Sequence, residues 1–230
     1  MTTVHLDVVR LHLADLTFPA WHPLGGQAGV VFGYAVRHRH GVLVFDTGVG
    51  RGNAFIDEQY AVVHHGVESA LAAHGHSLAD VTDVVCSHLH FDHCGGNRLF
   101  PGVPIHVQAA ELALVDEPHF TIPEWVHFDG STYVPHDGDA PVRGGMRLLA
   151  TPGHTAGHQA LVLDGPSGPV VLGGQAVYSA GELAHVVSTG RPLLDEPPDL
   201  DAYLASVDRI VALAPVQVHL AHDTEVFSAG

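Results

Sequence analysis

Apolar residues along the chain fall into short runs that switch between strand-like and helix-like spacing. Aliphatic and β-branched runs predict strands at residues 4–13, 30–37, 42–45, 84–86, 105–107, 170–172 and 216–220. Apolar residues three and four apart predict helices at residues 60–74, 109–115 and 199–214. Asp199 or Asp201 is suited to cap the last of these helices, because each carries a short side-chain acceptor at its start.

Strands that alternate with helices in this way predict a layered α/β architecture. The 230 residues are enough for one domain with a sizeable core, and no repeat or linker divides them. Residues 117–144 differ from the rest, because their apolar residues follow no period and lie among Pro, Gly and Asp. This segment is either a surface loop with its own small core or a lid that forms the apolar wall of a pocket.

The balance of charges narrows the choice of partners. The chain has 9 basic and 25 acidic residues and a formal charge of -16. This excess of negative charge opposes binding to nucleic acid and to anionic membrane surfaces. No apolar run approaches the roughly 18 residues of a membrane span, and no basic stretch precedes an apolar segment at the N-terminus. We therefore expect a cytoplasmic protein whose partner is a small molecule.

The densest chemistry follows the predicted strand at residues 84–86. His88, His90, Asp92 and His93 lie within six residues there. His88 and His90 alternate by two, so an extended backbone points both imidazoles to the same side. Imidazole and carboxylate ligands together suit zinc and similar divalent ions. This stretch therefore predicts a metal site.

Further candidate ligands follow other strand-like runs. His154 comes after the apolar residues 146–150, and His222 comes after residues 216–220. Loops just past strand ends, held by a rigid scaffold, are where functional sites are usually built. Cys94 adjoins the first motif, but the histidines and the aspartate already form a complete ligand set without it.

These motifs resemble the metallo-β-lactamase superfamily. The pattern His-x-His-x-Asp-His at 88–93, the Pro-Gly-His at 152–154 and the late Ala-His at 221–222 occur in that superfamily's order. The Val-Phe-Asp-Thr-Gly at 44–48 resembles its opening motif. The resemblance implies an αββα sandwich of two mixed sheets with outer helices, formed by residues 1–230 as a single hydrolase domain.

Within the superfamily the chain is most similar to the N-acyl-homoserine lactonases, which act in quorum quenching. The similarity lies in Ser-His-Leu-His-Phe-Asp-His-x-Gly-Gly-Asn at 87–97, Thr-Pro-Gly-His-x-x-Gly-His-Gln at 151–159 and Ala-x-Tyr at 176–178. It implies that two divalent metals, with zinc the first expectation, generate hydroxide that opens an ester-like bond in a neutral lactone. A thioesterase or other acyl hydrolase is the alternative enzyme, and a non-catalytic binding protein with a weakened metal site is the alternative of another class.

The resemblance also implies a role for each ligand. His88, His90 and His154 would hold one metal, and Asp92, His93 and His222 would hold the second. The superfamily's bridging aspartate is replaced here by Gln175. Glutamine offers one good oxygen and no charge, so we expect the second metal to bind weakly.

Residues around the ligands complete the expected site. Tyr178 would donate its hydroxyl hydrogen to the developing oxyanion, and Asp92 would also pass a proton to the leaving alkoxide. Asp46 would orient a ligand imidazole, whereas the role of His158 is open between a positioning residue and an ordinary strand histidine. An apolar substrate tail would rest on aromatic residues of the loops, namely Phe18, Trp21, Phe120 or Trp125.

Overall fold

The computed structural model describes residues 7–193 and 197–228, so residues 4–6 of the first predicted strand lie outside the described part. The strands are β1 (Asp7–Thr17), β2 (Ala28–His38), β3 (Gly41–Phe45), β4 (Val63–His64), β5 (Val81–Val85), β6 (Pro104–Gln108), β7 (Thr132–His136), β8 (Ala140–Pro141), β9 (Arg147–Ala150), β10 (Gln159–Gly165), β11 (Gly168–Gly174) and β12 (Gln217–Leu220). The helices are α1 (Ala54–Gln59), α2 (Val67–Ala73), α3 (Phe91–Cys94), α4 (Ala109–Leu112), α5 (Pro123–Val126), α6 (Ala180–Thr189) and α7 (Leu200–Ala212).

Two mixed sheets form the centre of the molecule. The larger has seven strands in the order β4-β1-β2-β3-β5-β6-β7, and the smaller has five in the order β12-β11-β10-β9-β8. Neighbouring strands are parallel from β3 through β5 and β6 to β7 in the larger sheet and between β11 and β12 in the smaller sheet, whereas the other neighbouring pairs are antiparallel. The structure confirms the predicted α/β sandwich of two mixed sheets.

Side chains from both sheets meet in the central core. Phe32 and Phe45 of the larger sheet pack in one cluster with Leu148, Leu161 and Leu172 of the smaller one. All five are at most 5% exposed. Their burial is the main stabilising contribution that joins the two sheets, since apolar area removed from water is worth about 25 cal/mol per Å².

Helices cover the outer faces of both sheets. The larger sheet buries Val67 and Leu71 of α2, and the smaller sheet buries Leu183 of α6 and Val207 of α7. Asp199 caps α7 as predicted, because its side chain accepts a hydrogen bond from the backbone N–H of Ala202. Among the described residues, no helix is long and apolar enough to cross a membrane.

The helix predicted at 60–74 was only half right. The helical part is α2, and Val63 instead belongs to β4, where it pairs with Asp15 at the edge of the larger sheet. Left-handed backbone at Ala61, with a φ of 44°, and at Gly66, with a φ of 81°, interrupts any helix over this stretch. Pairing at a sheet edge is a tertiary effect that the local spacing of apolar residues does not reveal.

The segment 117–144 is not a structureless loop. It contains α5, β7 and β8, and β7 completes the larger sheet by pairing in parallel with β6. Phe120 and Ile122 face the cavity described below, whereas Trp125 is 3% exposed and packs against Gly50. The segment is thus partly sheet, partly core and partly cavity wall.

Candidate metal centre

The predicted ligands come together where strands of the two sheets end side by side. His88 follows β5, His154 follows β9, Gln175 follows β11 and His222 follows β12. Two backbone hydrogen bonds join the sheets at this seam, from Gln159 N to Ser87 O at 2.8 Å and from Phe32 N to Ala221 O at 2.8 Å. Ligands distant in sequence are therefore positioned by rigid strands.

His88, His90 and His154 form the first group of candidate ligands. His154 Nε2 lies 3.2 Å from His88 Nε2 and 3.2 Å from His90 Nδ1. Burial lowers the pKa of His90 to about 4 and holds the pKa values of His88 and His154 well below their ordinary range. All three imidazoles are therefore neutral near pH 7, which is the form that binds metal.

Asp92, His93 and His222 form the second group of candidate ligands. Asp92 Oδ2 lies 3.5 Å from His93 Nε2 and 3.6 Å from His222 Nε2. The short helix α3 carries Asp92 and His93, and the Val30 carbonyl fixes the ring of His222 by accepting from its Nδ1 at 2.9 Å. The groups adjoin, since the ring centroids of His88 and His93 are 4.1 Å apart.

Asp46 lies directly behind the second group. Its Oδ2 is 2.9 Å from His93 Nδ1, and it accepts hydrogen bonds from Ser87 N at 2.6 Å and from Ser87 Oγ at 2.8 Å. Burial lowers the pKa of His93, but the Asp92 and Asp46 carboxylates outweigh it and raise this pKa to about 9. Asp46 also has a φ of 60°, a left-handed conformation that Asp tolerates better than most residues. The backbone is thus strained where it aims this carboxylate.

Glu111 secures the first group and was missed by the sequence analysis. This fully buried carboxylate accepts hydrogen bonds from Leu89 N at 3.0 Å, from Gly157 N at 2.8 Å and from the hydroxyl of Thr155. It therefore ties the loop of His88 and His90 to the loop of His154. A glutamate within a predicted helix gives no local sign of such a role, since most glutamates are exposed.

Gln175 lies beside the second group. Its Oε1 is 3.1 Å from His222 Nε2, and its backbone N–H donates to His158 Nε2 at 3.1 Å. His158 is fully buried and its Nδ1 lies 2.8 Å from Thr151 Oγ1, so both of its ring nitrogens are engaged within the protein. His158 is accordingly a positioning residue for the backbone of Gln175 and belongs to neither ligand group.

The donors present fit a pair of divalent metal ions. His93 Nε2 is buried and has no hydrogen-bond partner among the described residues, which is costly unless a ligand satisfies it. The donor atoms of each group lie within 4.8 Å of one another. Cys94 does not compete, because burial raises the pKa of its thiol to about 12 and its Sγ contacts the Leu89 carbonyl at 3.3 Å.

A cavity of about 660 Å³ opens above the ligands. Its floor contains His90, Asp92, His154, Gln175 and His222. Its walls are mostly aromatic and aliphatic, and they include Leu16, Phe18, Trp21, Phe55, Ile56, Tyr60, Phe91, Phe120, Ile122 and Tyr178. Phe18, Trp21 and Phe120 line this cavity as predicted for residues that would contact a substrate tail. The same prediction for Trp125 was wrong, because its side chain is buried in the core.

Tyr178 stands at the side of the second group. Its ring stacks on that of His222, with centroids 4.9 Å apart and an interplanar angle of 16°. Buried Glu182 of α6 fixes its main chain by accepting from Tyr178 N at 2.6 Å, and Asp223 accepts from Ala180 N at 2.8 Å. Asp223 thus joins the start of α6 to the loop of His222, while Glu182 fixes the turn that leads into α6.

A family profile matches most of the chain, and individual relatives match parts of it. The profile of the Metallo-beta-lactamase superfamily matches residues 26–222. An N-acyl homoserine lactonase from Bacillus sp is 41% identical over 106 residues, which are 46% of this chain and 42% of that protein. One from Bacillus thuringiensis is 34% identical over 157 residues, or 66% of this chain and 59% of that protein. The matches thus span about half the length of these relatives.

Solved structures extend the similarity to the fold. An N-acyl homoserine lactone hydrolase, solved with the product N-hexanoyl-L-homoserine at its catalytic metal center, superimposes with a TM-score of 0.77. That match covers 97% of this chain and 95% of the other, at 25% identity. The two-sheet architecture of this chain therefore recurs in known proteins.

Proposed function

The chain belongs to the metallo-β-lactamase superfamily, and on that premise we propose that it is a metal-dependent hydrolase of an ester-like bond in a lactone. The proposed substrates are neutral N-acyl-homoserine lactones or close analogues. The observation that carries the proposal is the pair of adjoining three-ligand groups at the floor of a largely apolar cavity. Pockets for small molecules combine apolar walls with a few convergent polar groups in the same way.

His88, His90 and His154 would hold one metal, and Asp92, His93 and His222 would hold the other, with Gln175 beside the second. When bound, such metals polarise a substrate carbonyl and supply a hydroxide nucleophile at neutral pH. The protein's own part is to keep the imidazoles of His88, His90 and His154 neutral, to aim the ligands of both groups and to orient the substrate.

Tyr178 would serve the oxyanion that forms as the carbonyl is attacked. Burial, with the charges of Asp92 and Glu182, raises the pKa of Tyr178 well above its ordinary value. The phenol therefore stays protonated and is able to donate its hydrogen from the side of the second group. Its stacking on His222 and the fixed main chain support a defined position for that donor.

Asp92 would carry the proton that the leaving alkoxide needs. Burial raises the pKa of Asp92, but His93, His222 and His90 outweigh it, so the carboxyl is ionised at rest. An ionised Oδ atom at the cavity floor can take a proton from the attacking water and release it to the alcohol oxygen as the ring opens. The net reaction adds one water across the C–O bond.

The aromatic walls would bind the acyl part of the substrate. Phe18, Trp21 and Phe120 are all in the lining, and the ring of Phe120 lies 5.1 Å from that of His90. Apolar walls favour a neutral acyl chain and exclude water from the reacting centre.

The test is a hydrolysis panel run on zinc-loaded protein. We expect opening of N-acyl-homoserine lactones, followed as proton release in a weakly buffered indicator, and loss of this activity after treatment with a chelator. Rapid cleavage of thioesters without any lactone opening would overturn the substrate and leave the reaction class standing. Metal-loaded protein that hydrolyses no lactone, thioester or β-lactam would overturn the hydrolase itself and favour a binding protein.

A further inference from the structure

Two histidines and one aspartate form a cluster that shares no residue with the metal centre. His12 and Asp15 belong to β1, and His65 follows β4 at the edge of the larger sheet. His12 Nε2 lies 2.7 Å from Asp15 Oδ1, and His65 Nε2 lies 2.9 Å from Asp15 Oδ2. The ring centroids of the two histidines are 4.3 Å apart. One carboxylate thus lies between two imidazoles that belong to different elements.

A β-bulge in β1 brings His12 and Asp15 together. Residues three apart on a regular strand point to opposite faces of the sheet. In the pairing of β1 with β2, however, His12 lies opposite Phe32 while Ala14 lies opposite Val31, so Leu13 is an extra residue. The bulge turns Asp15 to the same face as His12, and bulges are known to re-aim side chains in this way.

The same bulge positions the third member of the cluster. The Leu13 carbonyl accepts hydrogen bonds from His65 N at 3.0 Å and from Gly66 N at 3.1 Å. His65 is therefore held against β1 by its own backbone. The three side chains are brought together by main-chain geometry, which gives a cluster that exists before any ligand binds.

The chemical state of the cluster suits a metal. Burial raises the pKa of Asp15, but the hydrogen bonds from His65 and His12 outweigh it and hold this pKa below its ordinary value. The side chains are 38% to 45% exposed, so an ion can reach them from solvent. An ionised carboxylate and imidazole nitrogens form a mixed oxygen and nitrogen donor set that suits zinc, copper or nickel.

We propose that His12, Asp15 and His65 form a separate binding site for a divalent transition metal ion such as zinc. Tetrahedral zinc needs ligand atoms about 3.3 Å apart, so the present contacts of 2.7 Å and 2.9 Å have to open only slightly. Half-exposed side chains can do this by small rotations, and water would complete the coordination.

An ion at this site would join β1 to the segment that leads into α2. It would stabilise the folded protein, because the unfolded chain has no such preformed arrangement. Leu16, the residue after Asp15, lines the cavity, so the ion would also restrain one wall of it. This role is independent of the proposed hydrolase activity.

Zinc bound per chain tests the proposal, measured by mass spectrometry after equilibrium dialysis against excess zinc. We expect the unaltered protein to hold one zinc ion more than His65→Gln or Asp15→Asn. The matched control is His127→Gln, because His127 Nε2 lies 3.6 Å from one carboxylate, Asp116, and within the described part of the chain no second imidazole joins that ion pair. The control should bind as much zinc as the unaltered protein.

Equal zinc content in the unaltered protein and in folded His65→Gln would overturn the proposal. Crystals of the unaltered protein grown with zinc give a second measurement that does not depend on any variant. We expect an anomalous scattering peak at the zinc edge between His12, Asp15 and His65. A map with peaks at the metal centre and none at this cluster would show that the three side chains are only a hydrogen-bonded network.

Discussion

The group of His88, His90 and His154 and the group of Asp92, His93 and His222 sit side by side, yet a different buried acid secures each. Glu111 holds the first group by accepting hydrogen bonds from main-chain N–H groups and a hydroxyl of the two loops, and among the described residues no hydrogen bond joins it to an imidazole of that group. Asp46 contacts the imidazole of His93 in the second group directly, and it also accepts hydrogen bonds from Ser87, the residue before His88.

The difference in charge follows the difference in contacts. The first group consists of three neutral imidazoles, whereas Asp92 lies within the second group and Asp46 lies directly behind it. A carboxylate that accepts hydrogen bonds from the backbone fixes the geometry of the loops. One that contacts a ligand imidazole also raises the basicity of that imidazole. We therefore expect metal affinity at the first site to depend mainly on the geometry of its loops, and metal affinity at the second site to depend mainly on negative charge.

The largest effect is expected from Tyr178→Phe. This variant tests whether the reaction depends on the hydroxyl that lies beside the second group. Loss of one oxyanion donor typically costs about 2.7–4 kcal/mol, so turnover of a lactone should fall about 100- to 1000-fold. Metal content should stay the same, since no ligand changes. Tyr60→Phe is the matched control, because Tyr60 also lines the cavity. An unchanged turnover in Tyr178→Phe would remove that hydroxyl from the mechanism.

Asp46→Asn removes a negative charge behind the second group and should therefore weaken metal binding at the second site more than at the first. Changes to residues that orient a ligand typically cost about 10- to 100-fold in metal affinity or activity, and we expect that loss at the second site. Metal content after dialysis against graded chelator is the measurement. Asp83→Asn is the control, since Asp83 is also buried and contacts a histidine, His106, outside the metal centre. Equal losses from both sites would contradict the comparison.

Glu111→Gln should disturb the geometry of the two loops that carry the first group and leave the second group unchanged. An amide cannot accept at all three donors, so one buried N–H or hydroxyl loses its partner, at a cost of about 1–3 kcal/mol. Urea unfolding of the metal-free protein should show this loss in the free energy of unfolding. Metal titration should show weaker binding at the first site alone. Weaker binding at the second site instead would mean that the two loops act as one unit.

The smallest effect is expected from Gln175→Asp, which adds charge beside the second group. Gln175 contacts His222 but brings no negative charge, so the aspartate should tighten the second metal by roughly tenfold, or about 1.4 kcal/mol. Dialysis of both proteins against a mild chelator, with metals counted afterwards, measures retention. Equal retention would show that the glutamine does not set metal affinity.

Much of this arrangement could be predicted from local sequence, because its parts are local. Four side chains that can bind metal lie close together between His88 and His93. Short apolar runs predict the strands that end just before this stretch and before His154. The layered α/β architecture and the cap at Asp199 follow from comparably local patterns and were confirmed, whereas the sandwich of two mixed sheets was implied by the family resemblance. The metal assignments themselves stay predictions.

What sequence reasoning missed depends on contacts between distant residues. Glu111 has no local signal because its three donors come from two other loops. Trp125 is a large aromatic residue in an irregular segment, which is also typical of a pocket wall. Its position in the core depends on packing against Gly50, a residue distant in sequence. The bulge at Leu13 depends on how β1 pairs with β2, so the approach of His12 to Asp15 was not visible either.

The seam between the two sheets has a consequence for the kinetics of unfolding. Ligands near residue 90 and at residue 222 reach the same place only when both sheets have closed on each other. Ions bound there would act as cross-links between the early and late parts of the chain, and they would have to leave before the sheets could separate. Bound metal should therefore slow global unfolding and proteolysis more than it changes the local flexibility of any single loop.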